Sequence, residues 1–392
     1  MSDININIAI IGKGPVGMLA ALALAKKSTP SCIVGKSARV IDKRTTAIMM
    51  PGIRFLQQLQ LWQELEPFAA PLQAMRIIDE TNRPLRSREI FFTAAEIGEK
   101  AFGYNIPNEI LNNTLARAIS SNSAITVLES NVISYDFDKA AGYLENGQII
   151  RAKLFIAADG KNSVTRQALN IKTSITSHNQ VACVTRFTPE YEHDNISTEI
   201  HTDQGPFTQV PLIGKKSSLI WTVAAENAAA IQKLEKEDLE KYLQEKMHAM
   251  LGAIKLETEL QAWPLSSLIA NELVKHSVFL IGEAAHSFPP IGAQGLNLSL
   301  RDIEALYNFI EHEPDIAKIA IDYTKNRKAD IKARAMAVAL LNNSLSSNIL
   351  LWQIMRFLGF ELLHNNKTLR SNFMREGLAP SKKLLALLHR LL

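Results

Sequence analysis

The feature that most constrains this chain is its beginning, where Ile4 to Ile11 passes from alternation into a continuous apolar run, followed by Gly12-Lys13-Gly14-Pro15-Val16-Gly17 and the helix-favouring stretch Met18 to Lys27. The pattern reads strand, tight turn, helix. The first glycine permits the turn, the second lets a pyrophosphate approach the backbone, and the third lets the helix pack on the strand. A phosphate would then rest on the helix N-terminus, where unpaired N–H groups and the dipole favour negative charge. Gly12, Gly14, Pro15, Val16 and Gly17 are therefore the candidate dinucleotide cradle.

Such a cradle usually has an acidic residue about 20 residues further on, at the end of the second strand, for the ribose hydroxyls. Here the expected strand Ser31 to Val34 ends in Gly35-Lys36, so recognition of the adenosine end must differ in detail. Asp42 follows within Asp42-Lys43-Arg44-Thr45-Thr46-Ala47. Arg44 is a candidate for reaching the cofactor phosphates, with simple loop capping as the alternative.

Two later segments repeat the logic of a strand ending in a glycine turn. Leu154 to Ala158 reads as a buried strand and leads into Asp159-Gly160-Lys161-Asn162-Ser163-Val164-Thr165-Arg166. A carboxylate at that place can accept hydrogen bonds from a ligand in the crevice beside the first cradle. Its alternative is a helix-capping aspartate with a surface arginine. Val278 to Ile281 leads into Gly282-Glu283-Ala284-Ala285-His286-Ser287-Phe288-Pro289-Pro290-Ile291-Gly292-Ala293-Gln294-Gly295-Leu296-Asn297, then Leu298 to Asp302. The paired prolines make a rigid loop and a helix should start near Leu296. Its N-terminus can stabilise negative charge developing on a bound ring.

In this order the three motifs resemble those of the class A flavoprotein aromatic hydroxylases, the group of para-hydroxybenzoate hydroxylase, over nearly the whole chain. Within that group the third motif resembles the ubiquinone-biosynthesis hydroxylases. So do Gly205-Pro206-Phe207-Thr208, Pro211, Ser218-Leu219-Ile220-Trp221, and Tyr323 with Arg327 and Asp330. The resemblance implies an α/β fold: a Rossmann-like FAD-binding domain with an inserted β-sheet substrate domain and a helical C-terminus. It also implies an FAD-dependent monooxygenase that hydroxylates the ring of a polyprenyl phenol through a flavin hydroperoxide. O₂ would be co-substrate, and NAD(P)H or a separate reductase the electron donor.

Carried over by position, the resemblance places Gly12, Gly14 and Gly17 at the FAD pyrophosphate with Arg44 nearby. Asp159, on the turn with Gly160, lies between the cofactor and the place where a nicotinamide donor acts. Glu283, after Gly282, occupies the position of the family's usual aspartate at the ribitol chain; its extra methylene changes reach and keeps the acceptor. Pro289 and Pro290 form the loop beside the isoalloxazine, and Gly295, Leu296 and Asn297 offer backbone N–H groups to its pyrimidine edge. Asn108, before the expected helix Glu109 to Ser120, is a further ribitol candidate. No side chain is assigned a catalytic role. His286 occupies a position that is structural in the family, and no carboxylate or serine partner forms a recognisable motif with it. HExxH, GxSxG and Cys/His clusters are absent from the sequence, so no metal is expected and the chemistry belongs to the flavin.

The motif positions imply a discontinuous FAD domain over residues 1–72, 100–174 and 275–340. Residues 73–99 and 175–274 form a β-rich substrate domain containing alternating runs such as Val181 to Phe187, Thr208 to Leu212 and Ser218 to Ala224. Substrate would enter between that sheet and the flavin. Residues 341–392 read as a helical C-terminal region. There Leu345, Ile349, Trp352, Met355, Leu358 and Leu362 are spaced for an apolar face, and a tail from Ser381 to Leu392 interleaves Lys382, Lys383 and Arg390 with leucines. Core or oligomer packing is one reading of that tail; contact with a membrane surface, useful for a bilayer-dissolved substrate, is the other.

Composition narrows the classes. With 392 residues, 47% hydrophobic and 21% charged, the chain matches globular averages and is not a polytopic membrane protein. Its net charge of +4 carries no basic run, which argues against a nucleic-acid partner. Cys32 and Cys183 form no CxxC pattern and read as buried thiols of a reducing compartment. The N-terminus lacks the basic region of a signal peptide, and Ala335 to Met355 holds too many polar groups for a lipid-spanning helix. The expected location is cytoplasmic, with peripheral contact to the inner membrane and a quinone-synthesis complex among the partner candidates. Two other functions stay open: oxygenation of a soluble aromatic, and a non-catalytic flavoprotein scaffold. Phe102, Tyr104, Phe207 and Trp221 are candidate pocket aromatics, with core packing the plainer role for each.

Overall fold

The apolar N-terminal run becomes an inner strand. Ile4–Ile11 pairs in parallel with Ile149–Ala157 on one side and with Ser31–Val34 on the other. They belong to an eight-stranded sheet in the order Val274–Lys275, Val278–Leu280, Ile149–Ala157, Ile4–Ile11, Ser31–Val34, Ile125–Leu128, extended by the hairpin Val132–Asp136 and Ala141–Leu144. All four residues of Ser31–Val34 are buried, as expected of a parallel strand covered on both faces. The computed structural model describes residues 3–37, 42–82, 86–290, 294–312, 315–346 and 350–378.

The helix Pro15–Lys26 returns across this sheet. Pro15 fits its start because the missing N–H would be unpaired there anyway, and Met18 N donates to Gly14 O at 3.0 Å to close the first turn. Met18 to Leu24 are all buried. Asn108–Ser120 and Gln294–His312 also add to the core, through Leu111 and Leu115 and through Leu298, Leu300 and Ile303.

A second, nine-stranded sheet runs His286–Ser287, Gln261–Ala270, Thr173–Pro189, Ser217–Ala224, Gly205–Pro211, Ile196–Thr202, Ala74–Asp79, Ile90–Thr93, with Ile254–Leu256 beside Thr173–Pro189. The alternating run at Val181 is thus part of one 17-residue strand. The two faces of this sheet differ. Cys183, Leu219, Trp221, Phe207 and Ile200 share one face and pack against helices Ala225–Ile231 and Lys236–Lys246. Residues one step out of phase face the parallel-sheet unit: Arg186 lies 3.6 Å from Glu109, at the start of Asn108–Ser120. A small sheet is formed by Thr45–Met49 and Ala70–Pro71, which precede the larger sheet's first two strands in the chain, on either side of Gly103–Pro107, which follows them.

Helix Ile316–Ser346 is continuous through residue 340, where the sequence suggested a boundary. Leu350–Asn365 and Lys367–Leu378 follow; Met374 packs with Ile90, Phe92 and Ile97, and Arg370 donates to Glu96 at 2.7 Å. Among the described residues no helix is long and apolar enough to cross a membrane. The basic tail Ser381 to Leu392 lies outside the described residues. Both cysteines are buried and free, and burial pushes the Cys32 thiol up to about 12.

Candidate functional site

The three glycine turns are brought together at the carboxyl ends of adjacent strands. Ala158 N donates to Ile11 O at 2.7 Å, Gly12 N to Val34 O at 2.8 Å, and Ile281 N to Ala157 O at 3.0 Å. Gly12 has φ +112°, and a Cβ there would stand 2.3 Å from Ala158 O. A Cβ on Gly17 would stand 1.9 Å from Gly12 O, so helix and strand meet at a distance only glycine allows. Gly14 is different: a Cβ there would meet nothing within 4 Å. Two glycines close the turn, and the third leaves backbone open to the crevice.

Asp159 uses one carboxylate oxygen locally, Oδ2 accepting from Thr165 N at 2.9 Å and Thr165 Oγ1 at 2.8 Å. Its Oδ1 is buried without a partner, a polar atom left for a ligand in the crevice. Gly160 beside it has φ +79°. Arg166 is not a surface residue: it is buried and donates to Lys161 O at 2.8 Å and to Ala284 O at 2.9 Å, tying the second motif to the third.

Gly282 has φ +59°, and a Cβ there would come within 3.0 Å of Val16. Its N–H donates to Asp302 Oδ2 at 2.9 Å. Asp302 is wholly buried and also binds His286 Nε2 at 2.6 Å and Arg327 Nε at 2.7 Å, while Arg327 reaches Asp330 at 2.6 Å. Burial raises the cost of ionising Asp302, yet His286 and Arg327 hold its carboxyl below the usual range. The sequence reading left His286 without a carboxylate partner; the structure corrects this, because Asp302 lies 16 residues away on the next helix, beyond a local pattern. The role is still positioning, since this buried network fixes the turn that carries Glu283. Tyr323, resembling the family on sequence, is fully buried and donates to Leu280 O at 2.9 Å. Glu283 itself is exposed.

Arg44 and Asn108 are joined through Asp42. Arg44 donates to both Asp42 oxygens at 2.8 Å, and Asn108 Nδ2 donates to Asp42 Oδ2 at 2.8 Å. Thr46 Oγ1 donates to Asn108 Oδ1 at 2.6 Å. Burial opposes ionisation of Asp42, but hydrogen bonds from Arg44 and Asn108 hold its carboxyl below the usual range. The Arg44 guanidinium lies 4.7 Å from the centre of the Trp263 ring on the nine-stranded sheet, and Glu283 acts on its charge. Lys161 Nζ donates to Ser266 Oγ on that same strand at 2.6 Å. The Asp159 turn and the Arg44 segment are thus in contact with the large sheet.

The third motif's helix starts at Gln294, two residues before the expected position. Pro289 is buried and Pro290 exposed; Ile291 to Ala293 lie outside the described residues. A Cβ on Gly295 would meet nothing within 4 Å. The first-turn N–H groups, which include those of Gly295 and Leu296, have no intrahelical acceptor. Asn297 does more than the sequence suggested: its Oδ1 accepts from Met49 N and its Nδ2 donates to Ala47 O, both at 2.8 Å, fixing the helix start to Thr45–Met49. Of the pocket aromatics, Phe207 and Trp221 pack edge to face at 5.7 Å on the face turned toward the two short helices, and Tyr104 packs on Trp62 at 4.9 Å. Among the described residues no group of three or more His, Cys, Asp or Glu could hold a metal ion.

An open glycine turn at a helix N-terminus, an orphaned buried carboxylate oxygen and a second helix start form a site whose residues fit a flavin dinucleotide. The family described as FAD binding domain matches residues 5–314, and the chain belongs to it. It is similar to ubiquinone hydroxylase UbiL of Rhodospirillum rubrum, 26% identical over 391 residues, covering 96% of this chain and 90% of the relative. It is also similar to 3-demethoxyubiquinol 3-hydroxylase of Escherichia coli, 27% identical with 92% and 95% covered. Among solved structures, p-nitrophenol 4-monooxygenase PnpA of Pseudomonas putida DLL-E4 superposes with a TM-score of 0.77 at 17% identity, covering 97% of this chain and 99% of that one. That likeness shows that the two chains share a fold.

Proposed function

We propose that this protein is an FAD-dependent monooxygenase that hydroxylates the aromatic ring of a polyprenyl phenol on the route to ubiquinone. The observation that carries the reading is the convergence of three distant glycine turns at the carboxyl ends of adjacent strands, with the Asp159 turn and the Arg44 segment in contact with the large sheet. The names of the relatives supply the substrate class.

Gly12, Gly14 and Gly17 admit the pyrophosphate, Arg44 balances its charge, and Asp159 with Glu283 and Asn108 takes hydroxyl hydrogen bonds along the cofactor. Bound FAD supplies the electron and oxygen-transfer chemistry that side chains lack. The backbone N–H groups of Gly295 and Leu296 would face the ring edge and stabilise negative charge there, with the Asn297 side chain fixing the helix start. Pro289 and Pro290 hold one wall, and the nine-stranded sheet excludes water and holds the substrate ring. The substrate is a lipophilic phenol, O₂ is consumed, and NAD(P)H or a partner reductase delivers electrons. The exposed Leu358, Leu362, Leu369 and Phe373, with exposed Lys367 and Arg375, support contact with a membrane surface where such a phenol dissolves.

Mass spectrometry of quinone extracts from cells lacking the protein, against cells carrying it on a plasmid, tests the reading. The expected result is loss of ubiquinone with accumulation of an under-hydroxylated polyprenyl phenol. An unchanged quinone pool, together with oxygen consumption on a water-soluble phenol without lipid, would favour a soluble aromatic instead. Anaerobic mixing with NADPH or NADH bleaches the flavin if a nicotinamide is the direct donor; no bleaching assigns that role to a reductase.

A further inference from the structure

The second strand, Ser31–Val34, ends without the acid that would bind the adenosine ribose, and the structure shows what stands there. A Cβ on Gly35 would lie 2.6 Å from Lys13 N and 2.9 Å from Lys13 Cβ. Lys13, inside the first glycine turn, occupies the space into which an acid at position 35 would project. The strand's other neighbour is Ile125–Leu128, with Val34 in register with Leu128 and Gly35 N donating to Leu128 O at 3.1 Å. Glu129 is therefore the lateral neighbour of Gly35, one strand spacing of about 4.8 Å away, a gap a glutamate side chain spans.

Glu129 is aimed at the cradle. It forms an ion pair with Lys13. Ser37 N donates to its Oε2 at 3.2 Å and Ser37 Oγ to its Oε1 at 3.2 Å, while Lys13 Nζ donates to Ser37 Oγ at 3.0 Å. The carboxylate is fixed by two different segments yet more than half exposed, at 55% of its side chain. It has acceptor capacity left, since an ionised carboxylate offers about four lone-pair sites.

We infer that Glu129, held by Lys13 and Ser37, is the carboxylate that accepts the adenosine ribose hydroxyls of the dinucleotide, replacing the acid absent at Gly35. This inference rests on the FAD reading and deepens it at one end of the cofactor. The recognition acid moves to the adjacent strand, and Gly35 is what lets Lys13 lie between the two strand ends. Lys36, the other residue at the end of Ser31–Val34, is turned away into a surface pair with Glu145 at 2.7 Å.

The test uses the holoprotein. Release of FAD on dilution, read by recovered flavin fluorescence, gives Kd for the wild type, Glu129→Gln and, as a control, Glu145→Gln. Loss of a charged hydrogen-bond acceptor predicts a Kd about tenfold weaker in Glu129→Gln, with no change in Glu145→Gln. Displacement of FAD by AMP and by 2′,3′-dideoxy-AMP then isolates the ribose. The wild type should prefer AMP by about tenfold on the same grounds, and Glu129→Gln should lose the preference. Equal FAD retention by Glu129→Gln, or an AMP preference that survives it, overturns the assignment. Wild-type protein that holds no FAD would instead defeat the flavoprotein reading itself, so the two failures are distinguishable.

Discussion

The two large sheets place their informative residues by different rules. In the parallel sheet the candidate positions cluster where strands end, where backbone meets backbone: Gly12 and Gly17 are glycine because another residue's carbonyl is 2.3 and 1.9 Å from where a Cβ would be. In the nine-stranded sheet the positions are spread along strands, and their meaning depends on which face a residue takes. Cys183 and Arg186 lie three residues apart on one strand; the first is covered by short helices and the second reaches the other unit at Glu109. Close backbone approach restricts residue type, and so writes itself into a sequence; face assignment requires knowing what packs above it.

The comparison can be broken most severely at Asp302. Replacing it with alanine leaves Arg327 and His286 buried without their shared carboxylate, and a loss of about 4 kcal/mol is expected in denaturant unfolding, together with lost flavin from the displaced turn. The same group sets a pH response. Its folded pKa is lowered, so its contribution is present above the unfolded carboxylate value, near 3.9, and is lost as pH falls from there through the folded value. An acid titration of stability should therefore be flatter in Asp302→Ala than in the wild type.

A change in the second sheet should separate stability from cofactor binding. Trp221 is buried against Phe207 and Tyr242, so Trp221→Ala is expected to cost about 3 kcal/mol through the cavity it leaves. The fraction that remains folded should hold FAD as tightly as the wild type. A parallel loss of FAD affinity would show that the two sheets are not independent in binding the cofactor.

The smallest stability effect and the sharpest contrast belong to Gly14. Because nothing lies within 4 Å of a Cβ there, Gly14→Ala should shift stability by less than about 0.5 kcal/mol. The added methyl enters the crevice, so FAD should bind about tenfold more weakly, the price of one lost close approach. A thermal melt of the variant alongside a fluorescence measurement of FAD release checks both halves.

Much of the site was legible before any fold was known. The strand, turn and helix at Ile4 to Lys27 and the turns at Asp159 and Gly282 follow from residue types that turns and phosphate cradles demand, while Arg44, a candidate for the cofactor phosphates, is seen paired with Asp42 in its own loop. Other partners were not legible. Asp302 belongs to the third motif, yet only the helix Gln294–His312 folding back brings it under His286 and Gly282. Arg166 is part of the second motif in sequence, but its partner, Ala284 O of the third motif, is brought beside it only by the fold. Asn297 reads as a backbone donor until its side chain meets Ala47 and Met49, some 250 residues earlier.

By itself, then, the sequence determined where the chain must turn and what it must leave open, because steric limits at glycine and proline act over a few residues. The tertiary structure decided which buried charges are paired, which face of the large sheet covers the crevice, and which carboxylate stands at the empty end of the second strand. Those depend on contacts between separate elements, such as Asp302 with Arg327, Glu109 with Arg186 and Lys13 with Glu129. Electrostatic pairing and face selection are properties of assembled elements, and no local pattern encodes them.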